Sequence, residues 1–328
     1  MAELVAEVPP LLRADQAEQH YASAVRTAVA ACAADTAGQT CFICMDGNDE
    51  EGLVRGCACR GAAGVAHVSC LARQAQVAVE RAHRGWMRWD TCGLCEQKYH
   101  GVVACALGWA CWKTYLGRPE DDWARGSAMT LLANGLSAAE HHEDALLVYE
   151  AELSMLRRNG APEDRHAIRH AILAVQGNLA NTYQALKRHE EALRMRRDVY
   201  SGYLKLHGEE NEHTLISASN YAASVLRVKR LEEAKSVLRK TMPVARRVLG
   251  ENDETTLRMR WYYAEALYKD NGATLDDLRE AVTTMEEIER TARRVFGGAN
   301  PVTVGIERRL RKARATLAAR ETPSPGSA

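Results

Sequence analysis

The sequence predicts a small metal-stabilised domain followed by an all-α array of helical repeats. Two observations carry this prediction: a dense group of cysteines near the N-terminus, and a helical pattern that recurs at a fixed spacing further along. Phe occurs only twice among 328 residues, whereas Ala, Leu, Arg and Glu are abundant, and this mixture favours helix over sheet. The predicted parts are an N-terminal helical segment (1–37), a cysteine-rich domain (38–100), an apolar helical linker (101–126), the repeats (127–320) and a disordered tail (321–328).

The charge balance excludes several classes of partner. The 43 basic and 43 acidic side chains cancel, whereas proteins that bind nucleic acids or anionic membranes carry a clear basic excess. Glu3 and Glu7 stand where a signal peptide would carry basic residues. The most apolar run, residues 101–112, is too short for a bilayer, which needs about 20 residues. We therefore expect a cytoplasmic protein with no membrane span and no nucleic-acid partner, in which cysteines stay reduced.

Most of the cysteines, together with one histidine, lie at short spacings within residues 41–95. Two Cys-x2-Cys pairs enclose a Cys-x-Cys pair and a His-x2-Cys pair. A two-residue gap lets both sulfurs of a turn face one metal ion, and eight ligands complete two tetrahedral zinc sites. Zinc would also contribute folding energy to a segment with few large side chains. The predicted ligands are Cys41, Cys44, Cys57, Cys59, His67, Cys70, Cys92 and Cys95.

The three remaining cysteines and one histidine near the ligands have other roles in our interpretation. Cys32, Cys105 and Cys111 lie in Ala-rich or apolar helical runs, where a thiol behaves as a small core side chain. His83 lies between the ligand pairs, and we interpret it as a surface or helix residue rather than as a substitute ligand.

The repeat pattern is clearest in the segment NLANTYQALKRHEEA (178–192). A second copy, NYAASVLRVKRLEEA, follows 42 residues later, and a third begins at Tyr262 with five extra residues before Ala281. A more diverged copy, LLANGLSAAEHHEDA, occupies 131–145. Three copies end in a Gly that is followed six residues later by a Thr, which predicts a helix end and the next helix start. These pairs are Gly208 and Thr214, Gly250 and Thr256, and Gly297 and Thr303.

This register resembles the tetratricopeptide repeat, in the form of about 42 residues found in kinesin light chains. Small residues recur where the two helices of such a repeat approach each other: Ala133, Ala180, Ala222 and Ala264 on the first helix, and Ala145, Ala192, Ala234 and Ala281 on the second. The alternative is an unrelated helical bundle. The resemblance implies a solenoid whose groove holds a substrate or adaptor peptide. Its predicted contacts are Asn134, Asn178, Asn181 and Arg227, each of which could instead be an ordinary solvated helix residue.

The order of four cysteines, one histidine and three cysteines is shared by plant homeodomain fingers and RING-CH (RING-variant) fingers. The tight Cys57-x-Cys59 pair, the seven residues before His67, and the segments CRGAAGVAHVSCL and CGLCEQKY resemble the RING-CH finger. This α+β fold implies a cross-brace arrangement of two zinc ions. One would be held by Cys41, Cys44, His67 and Cys70, and the other by Cys57, Cys59, Cys92 and Cys95. The alternative is a consecutive arrangement of the first four and the last four ligands.

RING-CH fingers typically act as ubiquitin ligases. They bind a ubiquitin-conjugating enzyme and position its thioester-linked ubiquitin for attack, without a covalent intermediate of their own. The resemblance therefore implies no catalytic residue in this chain, and it places Ile43 and Gln74 on the surface that contacts the conjugating enzyme. Gln74 stands where the family commonly has Trp, and Glu96 stands where many RING fingers place a basic residue that clasps ubiquitin.

Three functions follow from these patterns. The leading hypothesis is a ubiquitin ligase whose repeats select the target. The second is a non-catalytic, zinc-stabilised interaction adaptor, which Gln74 and Glu96 favour. The third is a kinesin-type cargo adaptor, which rests only on the repeat length, because the sequence lacks the long heptad pattern that would join it to a motor.

Overall fold

The computed structural model of the chain describes residues 9–47, 50–158 and 165–322. The first eight residues of the predicted N-terminal segment and residues 323–328 of the predicted tail lie outside the described residues. The chain divides between Leu186 and Lys187 into two compact units. The described secondary structure is almost entirely α-helical, as the composition predicts.

The helices follow one another with short connections. The first unit contains α1 (Ala14–Thr36), α2 (Val68–Arg81), α3 (Gly101–Tyr115), α4 (Trp123–Ala138), α5 (His142–Arg158) and α6 (Arg165–Ala185). The second contains α7 (His189–His207), α8 (Glu212–Arg227), α9 (Leu231–Val248), α10 (Glu254–Lys269), α11 (Leu275–Phe296) and α12 (Pro301–Glu321). Short 3-10 turns cover Pro10–Leu12 and His83–Trp89. Among the described helices, none has the length and apolar character needed to cross a membrane.

The cysteine-rich segment shares its hydrophobic core with the helices that flank it in sequence. Val25 of α1 and both Val103 and Leu107 of α3 are buried together with Leu71 of α2. The approach of α3 is close, since a Cβ at Gly56 would lie 2.5 Å from the Val103 Cβ. In the described part of this segment, β-structure is confined to two isolated bridges. The segment therefore obtains from α1 and α3 the apolar contacts that its own few large side chains cannot supply.

Helix α3 covers most of the segment that the sequence predicts as an apolar linker. Trp109 and Trp112 on this helix are buried. The three cysteines outside the ligand set are also buried, as expected for small core residues: Cys32, Cys105 and Cys111. α3 contacts the finger core through Val103 and approaches the backbone of Leu132 in α4 through Gly108. It is therefore a central packing element of the first unit.

From α4 onward the helices follow the predicted repeat register. All eight alanines of that register are buried: Ala133, Ala145, Ala180, Ala192, Ala222, Ala234, Ala264 and Ala281. The residue five positions before the second-helix alanine has a left-handed backbone in three repeats, at Glu140, Lys187 and Lys229. The repeat with five extra residues instead begins its second helix, α11, with a capping box between Thr274 and Asp277.

The predicted helix ends are partly confirmed. Gly208 and Gly297 end α7 and α11 with φ angles of 82° and 85°. The threonines that were expected to begin the next helices are not the N-caps, however. An Asn or Asp three residues earlier accepts hydrogen bonds from the free backbone N–H groups of the first turn. These capping residues are Asn211, Asp253 and Asn300. Thr214, Thr256 and Thr303 are instead buried in the first turns of α8, α10 and α12.

Candidate metal centres and binding surfaces

The eight predicted ligands form two separate groups. The first group is Cys41, Cys44, His67 and Cys70, and the second is Cys57, Cys59, Cys92 and Cys95. Within each group the ligand atoms all lie within 4.8 Å of one another. Pairs that alternate along the sequence thus converge, which is the cross-brace that the resemblance implies. The consecutive arrangement is wrong.

The distances between ligand atoms fit zinc. His67 is fully buried, and its Nδ1 lies 3.4 Å from Cys44 Sγ and 3.7 Å from Cys70 Sγ, so Nδ1 is the donor atom. In the second group Cys59 Sγ and Cys92 Sγ lie 3.8 Å apart. A tetrahedron with Zn–S bonds of about 2.3 Å has edges of about 3.8 Å. Sets of four thiolate or imidazole donors select zinc over hard cations, and the two groups therefore fit two zinc ions.

The two Cys-x2-Cys pairs fold into the same kind of turn. In the first, the backbone N–H of Ile43 donates a hydrogen bond to Cys41 Sγ at 3.4 Å. In the second, the backbone N–H of Leu94 donates to Cys92 Sγ at 3.4 Å. Such bonds favour the thiolate, which is the form that binds a metal ion.

Backbone hydrogen bonds also act on the pKa values of the thiols. Burial acts to raise the pKa of Cys41, but hydrogen bonds from neighbouring backbone groups outweigh this effect and lower it to about 7. At Cys95, a hydrogen bond from the backbone of Gln97 is the main cause of a pKa of about 7. A thiol with such a pKa releases its proton to an incoming metal ion at little cost.

Gly64 lies directly against the second metal group. Its φ angle is +76°, and a Cβ at this position would be 2.7 Å from Cys59 Cβ and 3.0 Å from Cys57 Sγ. Only glycine combines this backbone conformation with so close an approach. The residue therefore allows the loop before His67 to fold over the second zinc site.

A shallow groove of about 380 Å³ lies beside the first metal group. Both residues predicted to contact a conjugating enzyme, Ile43 and Gln74, line it. The other lining residues are Cys70, Arg73, Val77, Ala78, Arg81 and Arg88. Sequence reasoning missed the arginines, although the i, i+4, i+8 spacing of Arg73, Val77 and Arg81 places them on one helix face. Leu71, next to Cys70, is buried in the core.

The four residues predicted to contact a peptide have different surroundings. Asn134 is exposed and its Oδ1 accepts a hydrogen bond from the Tyr149 hydroxyl at 2.7 Å. Asn178 lines a cavity among α4, α5 and α6, and Arg227 lines another cavity within the second unit. Asn181 is exposed on α6. Their roles as peptide contacts stay predictions. The side chain of His83 lies outside the described part of the chain.

Sequence reasoning also missed Glu152, a residue of α5. Its side chain is 3% exposed, and its Oε1 accepts a hydrogen bond from the Thr130 hydroxyl at 2.6 Å. Oε2 is buried and has no hydrogen-bond partner among the described residues. Burial raises the pKa of this carboxyl to about 8. Glu152 lines the same cavity as Asn178.

Comparison with known proteins supports both parts of this architecture. Residues 41–95 match the family model of the RING-variant domain, and residues 171–247 match that of the tetratricopeptide repeat. The chain thus combines a RING-variant zinc finger with tetratricopeptide-type helical repeats. None of the curated proteins compared with the chain matches it.

Among solved structures, the chain is similar to repeat proteins. Two structures of a Podosopora anserina protein, described as a kinesin light chain with nearly identical TPR-like repeats, align with TM-scores of 0.48 and 0.47. Their sequence identities are 18% and 19%, and each alignment covers 70% of this chain and 97% of the other. BtubC (BKLC) from P. vanneervenii aligns with a TM-score of 0.43 and 12% identity, covering 80% of this chain and 94% of its own.

Proposed function

We propose that this chain is a RING-CH-type ubiquitin ligase of the cytoplasm. Its finger recruits a ubiquitin-conjugating enzyme, and its helical repeats bind a substrate or adaptor peptide. The observation that carries the proposal is the groove beside the first metal group, in which Ile43 of the first metal-binding turn and Gln74 of α2 line one surface. This is where the family resemblance expects the conjugating enzyme to dock.

The metal ligands determine the shape of this groove. Cys41 and Cys44 belong to the turn that carries Ile43, while His67 and Cys70 lie at the start of α2, which carries Gln74. A zinc ion bound by all four residues would hold the turn and the helix at a fixed separation. The finger then acts by positioning a bound conjugating enzyme and its ubiquitin, which lowers the entropic part of the barrier to transfer.

The charges around the groove select the partner further. Arg73, Arg81 and Arg88 line it, and none of the described residues that line it is acidic. The apolar floor includes Val77 and Ala78. We therefore propose that the conjugating enzyme presents an apolar contact flanked by carboxylates, since complementary charge accelerates association and disfavours other partners.

The alternative is a non-catalytic interaction adaptor. It is favoured by Gln74, which provides less apolar surface in the groove than the Trp common in the family. It is also favoured by Glu96, which is exposed directly after the last ligand, Cys95. In that case the finger would bind a partner without promoting ubiquitin transfer.

Self-ubiquitination in vitro tests the proposal. The zinc-loaded full chain is incubated with ubiquitin, activating enzyme and a panel of conjugating enzymes. We expect ubiquitin chains with the native protein and a loss of at least about fivefold with Ile43→Ala, because truncating an apolar hot-spot contact costs more than about 1 kcal/mol. The matched control is Leu275→Ala, an exposed aliphatic residue at the start of α11, which should leave the rate unchanged.

Two outcomes would decide against ligase function. If protein that carries two zinc ions formed no ubiquitin chains with any conjugating enzyme of the panel, the proposal would be contradicted. Binding of a conjugating enzyme without ubiquitin transfer, detected by NMR titration, would support the adaptor.

A further inference from the structure

A cavity of about 580 Å³ lies within the first unit, among α4, α5 and α6. Four of its lining residues are acidic: Glu120, Asp121, Asp122 and Glu152. Among the described residues that line it there is no Lys, Arg or His. Its remaining walls are largely apolar, with Leu156, Ile168 and Val175 among them. A cavity of this composition attracts a cation that also carries an apolar body.

The acidic groups are not equivalent. Glu120 forms an ion pair with Arg158 at 3.2 Å. Asp122 accepts a hydrogen bond from the backbone N–H of Ala124 at 2.8 Å as the N-cap of α4, and it lies 3.3 Å from Arg118. Both carboxylates therefore already have partners within the fold.

Glu152 differs, because it is buried and only half satisfied. Its only hydrogen bond among the described residues is from the Thr130 hydroxyl to Oε1, and Oε2 has none. Burying a carboxyl group without a partner for one oxygen costs folding free energy. Such a group calls for an explanation beyond the stability of the fold.

The internal repeats show that the fold does not need a carboxyl at this position. Glu152 follows the second-helix residue Ala145 by seven positions. The equivalent positions after Ala192, Ala234 and Ala281 are Val199, Thr241 and Ile288. All three are buried, and the Thr241 hydroxyl bonds to a carbonyl of its own helix at 2.9 Å. Two of the three equivalent side chains are thus apolar and the third satisfies itself.

The side chains that line this cavity do not suit a metal ion. In the described part of the chain, metal-ligating side chains converge only at the two zinc groups, so the carboxylates of this cavity do not form a divalent-ion site. The apolar walls suit an aliphatic stem. A single buried carboxyl suits one compact ammonium group, because a positive charge beside it favours the ionised carboxylate and releases the proton that the empty site holds.

We propose that this cavity binds a lysine side chain of a partner peptide, with the ammonium at Glu152 and the methylene groups along Leu156, Ile168 and Val175. This inference rests on the proposed function, because it assumes that the repeats bind peptides. The peptides that bind here carry lysine at the position that enters between α4 and α6. Glu152 is the specificity-determining residue.

A random peptide display library tests the inference. Dodecapeptides are selected on the zinc-loaded full chain, on Glu152→Gln and on Glu143→Gln, a control with the same substitution at an exposed position near the start of α5. We expect lysine to be enriched at one position among binders of the native chain and of the control, and not among binders of Glu152→Gln. A selected peptide should bind Glu152→Gln at least about tenfold more weakly, which corresponds to about 1.4 kcal/mol. The same peptide with Nε-acetyllysine should lose affinity to a similar degree.

The outcomes separate this inference from the proposed function. Selected peptides without lysine enrichment, or with enrichment that Glu152→Gln retains, would overturn the lysine site while leaving peptide binding by the repeats intact. Selection of no peptides would overturn both the lysine site and the peptide-binding part of the proposed function. The ubiquitination assay tests the finger independently of either result. Glu152→Val, which copies the equivalent Val199, guards against misfolding: it should fold stably and also lose the lysine preference.

Discussion

Gly135 of α4 lies against the backbone of α3, where a Cβ at position 135 would come within 2.6 Å of the Ala104 carbonyl oxygen. The approach is reciprocal, since a Cβ at Gly108 of α3 would lie 3.0 Å from Leu132 Cα. α3 and α4 therefore meet backbone to backbone, with a glycine on each helix at the point of contact. Small residues at such a crossing allow a close helix pair.

This contact predicts different effects on stability when two glycines of one helix are replaced by alanine. Gly135→Ala should lower the unfolding free energy by about 1–3 kcal/mol, because overpacking outweighs the gain in helix propensity. Gly126→Ala, also in α4, would add a methyl group that meets only the Met155 Cε, at 3.6 Å, among the residues that the structure describes. It should be neutral or should stabilise the chain by up to about 1 kcal/mol. Urea unfolding followed by circular dichroism measures both, and equal effects of the two substitutions would contradict the contact.

Metal content tests the two zinc groups. Native mass spectrometry should find two zinc ions bound to the intact chain. Cys57→Ser should lose the ion of the second group and destabilise the finger, because a structural zinc site contributes folding free energy. A folded native chain without zinc would contradict the assignment.

Substitutions at two glycines of the finger distinguish a steric clash with the metal ligands from backbone strain alone. Gly64→Ala should weaken the second zinc site, because the new methyl group would displace Cys57 and Cys59. Gly61 has a similar φ angle of +62°, but a Cβ there would meet no atom of the described residues within 4 Å. Gly61→Ala should therefore cost only about 1–2 kcal/mol of backbone strain and keep both metal ions. The rate of zinc transfer to a chelator distinguishes them, and equally fast release from the two variants would show that strain alone is responsible.

Glu152 should make the stability of the first unit depend on pH. Burial raises its pKa in the folded state from 4.5 to about 8. Between these values the folded chain holds a proton that the unfolded chain has released, so this group stabilises the fold at low pH and its contribution falls as pH rises. The slope is at most about 1.4 kcal/mol per pH unit. It should be absent from Glu152→Gln and present in Glu143→Gln.

The measurement is the unfolding free energy of the three proteins between about pH 6 and pH 8, a range in which the zinc ligands stay deprotonated once metal is bound. Glu120, Asp121 and Asp122 line the same cavity and are common to all three proteins, so the difference between variants isolates Glu152. Parallel curves for the native chain and Glu152→Gln would contradict the raised pKa.

The groove beside the first zinc group predicts that a larger apolar side chain at position 74 strengthens binding of a conjugating enzyme. Gln74→Trp should strengthen the interaction with a conjugating enzyme by about threefold to tenfold, since an indole buries more apolar surface beside Ile43. Arg26→Trp, an exposed position on α1, controls for the added indole. Calorimetric titration measures both, and weaker binding by Gln74→Trp would show that the groove has no room for the ring.

Local patterns made much of this architecture predictable. The eight zinc ligands follow from spacing, because a Cys-x2-Cys turn is determined by a few adjacent residues. The repeat register follows from small residues such as Ala133 and Ala145, whose burial depends on helix periodicity. The helix starts were misassigned because Thr256 is a good cap in isolation, whereas Asp253 occupies the capping position three residues earlier.

The features that the sequence did not predict depend on contacts between residues far apart in the chain. The apolar run of α3 does not show that Val103 completes the finger core or that Gly108 meets α4. The burial of Glu152 depends on how α4, α5 and α6 pack. A sequence signal did exist, since Glu152 stands in register with Val199 and Ile288, but its meaning requires knowing that this position is buried.

Helices α1 and α3 share one hydrophobic core with the finger. The segment that matches the family is therefore shorter than the segment that folds together. The family match covers residues 41–95, yet Val25, Val103 and Leu107 lie outside it and are buried in the same core. Recombination that moved only the matched residues into another protein would transfer the metal ligands without the helices that cover them. Substitutions in α1 or α3 that disturb this core should therefore also weaken metal binding, because the folding of the finger and the affinity for zinc are coupled.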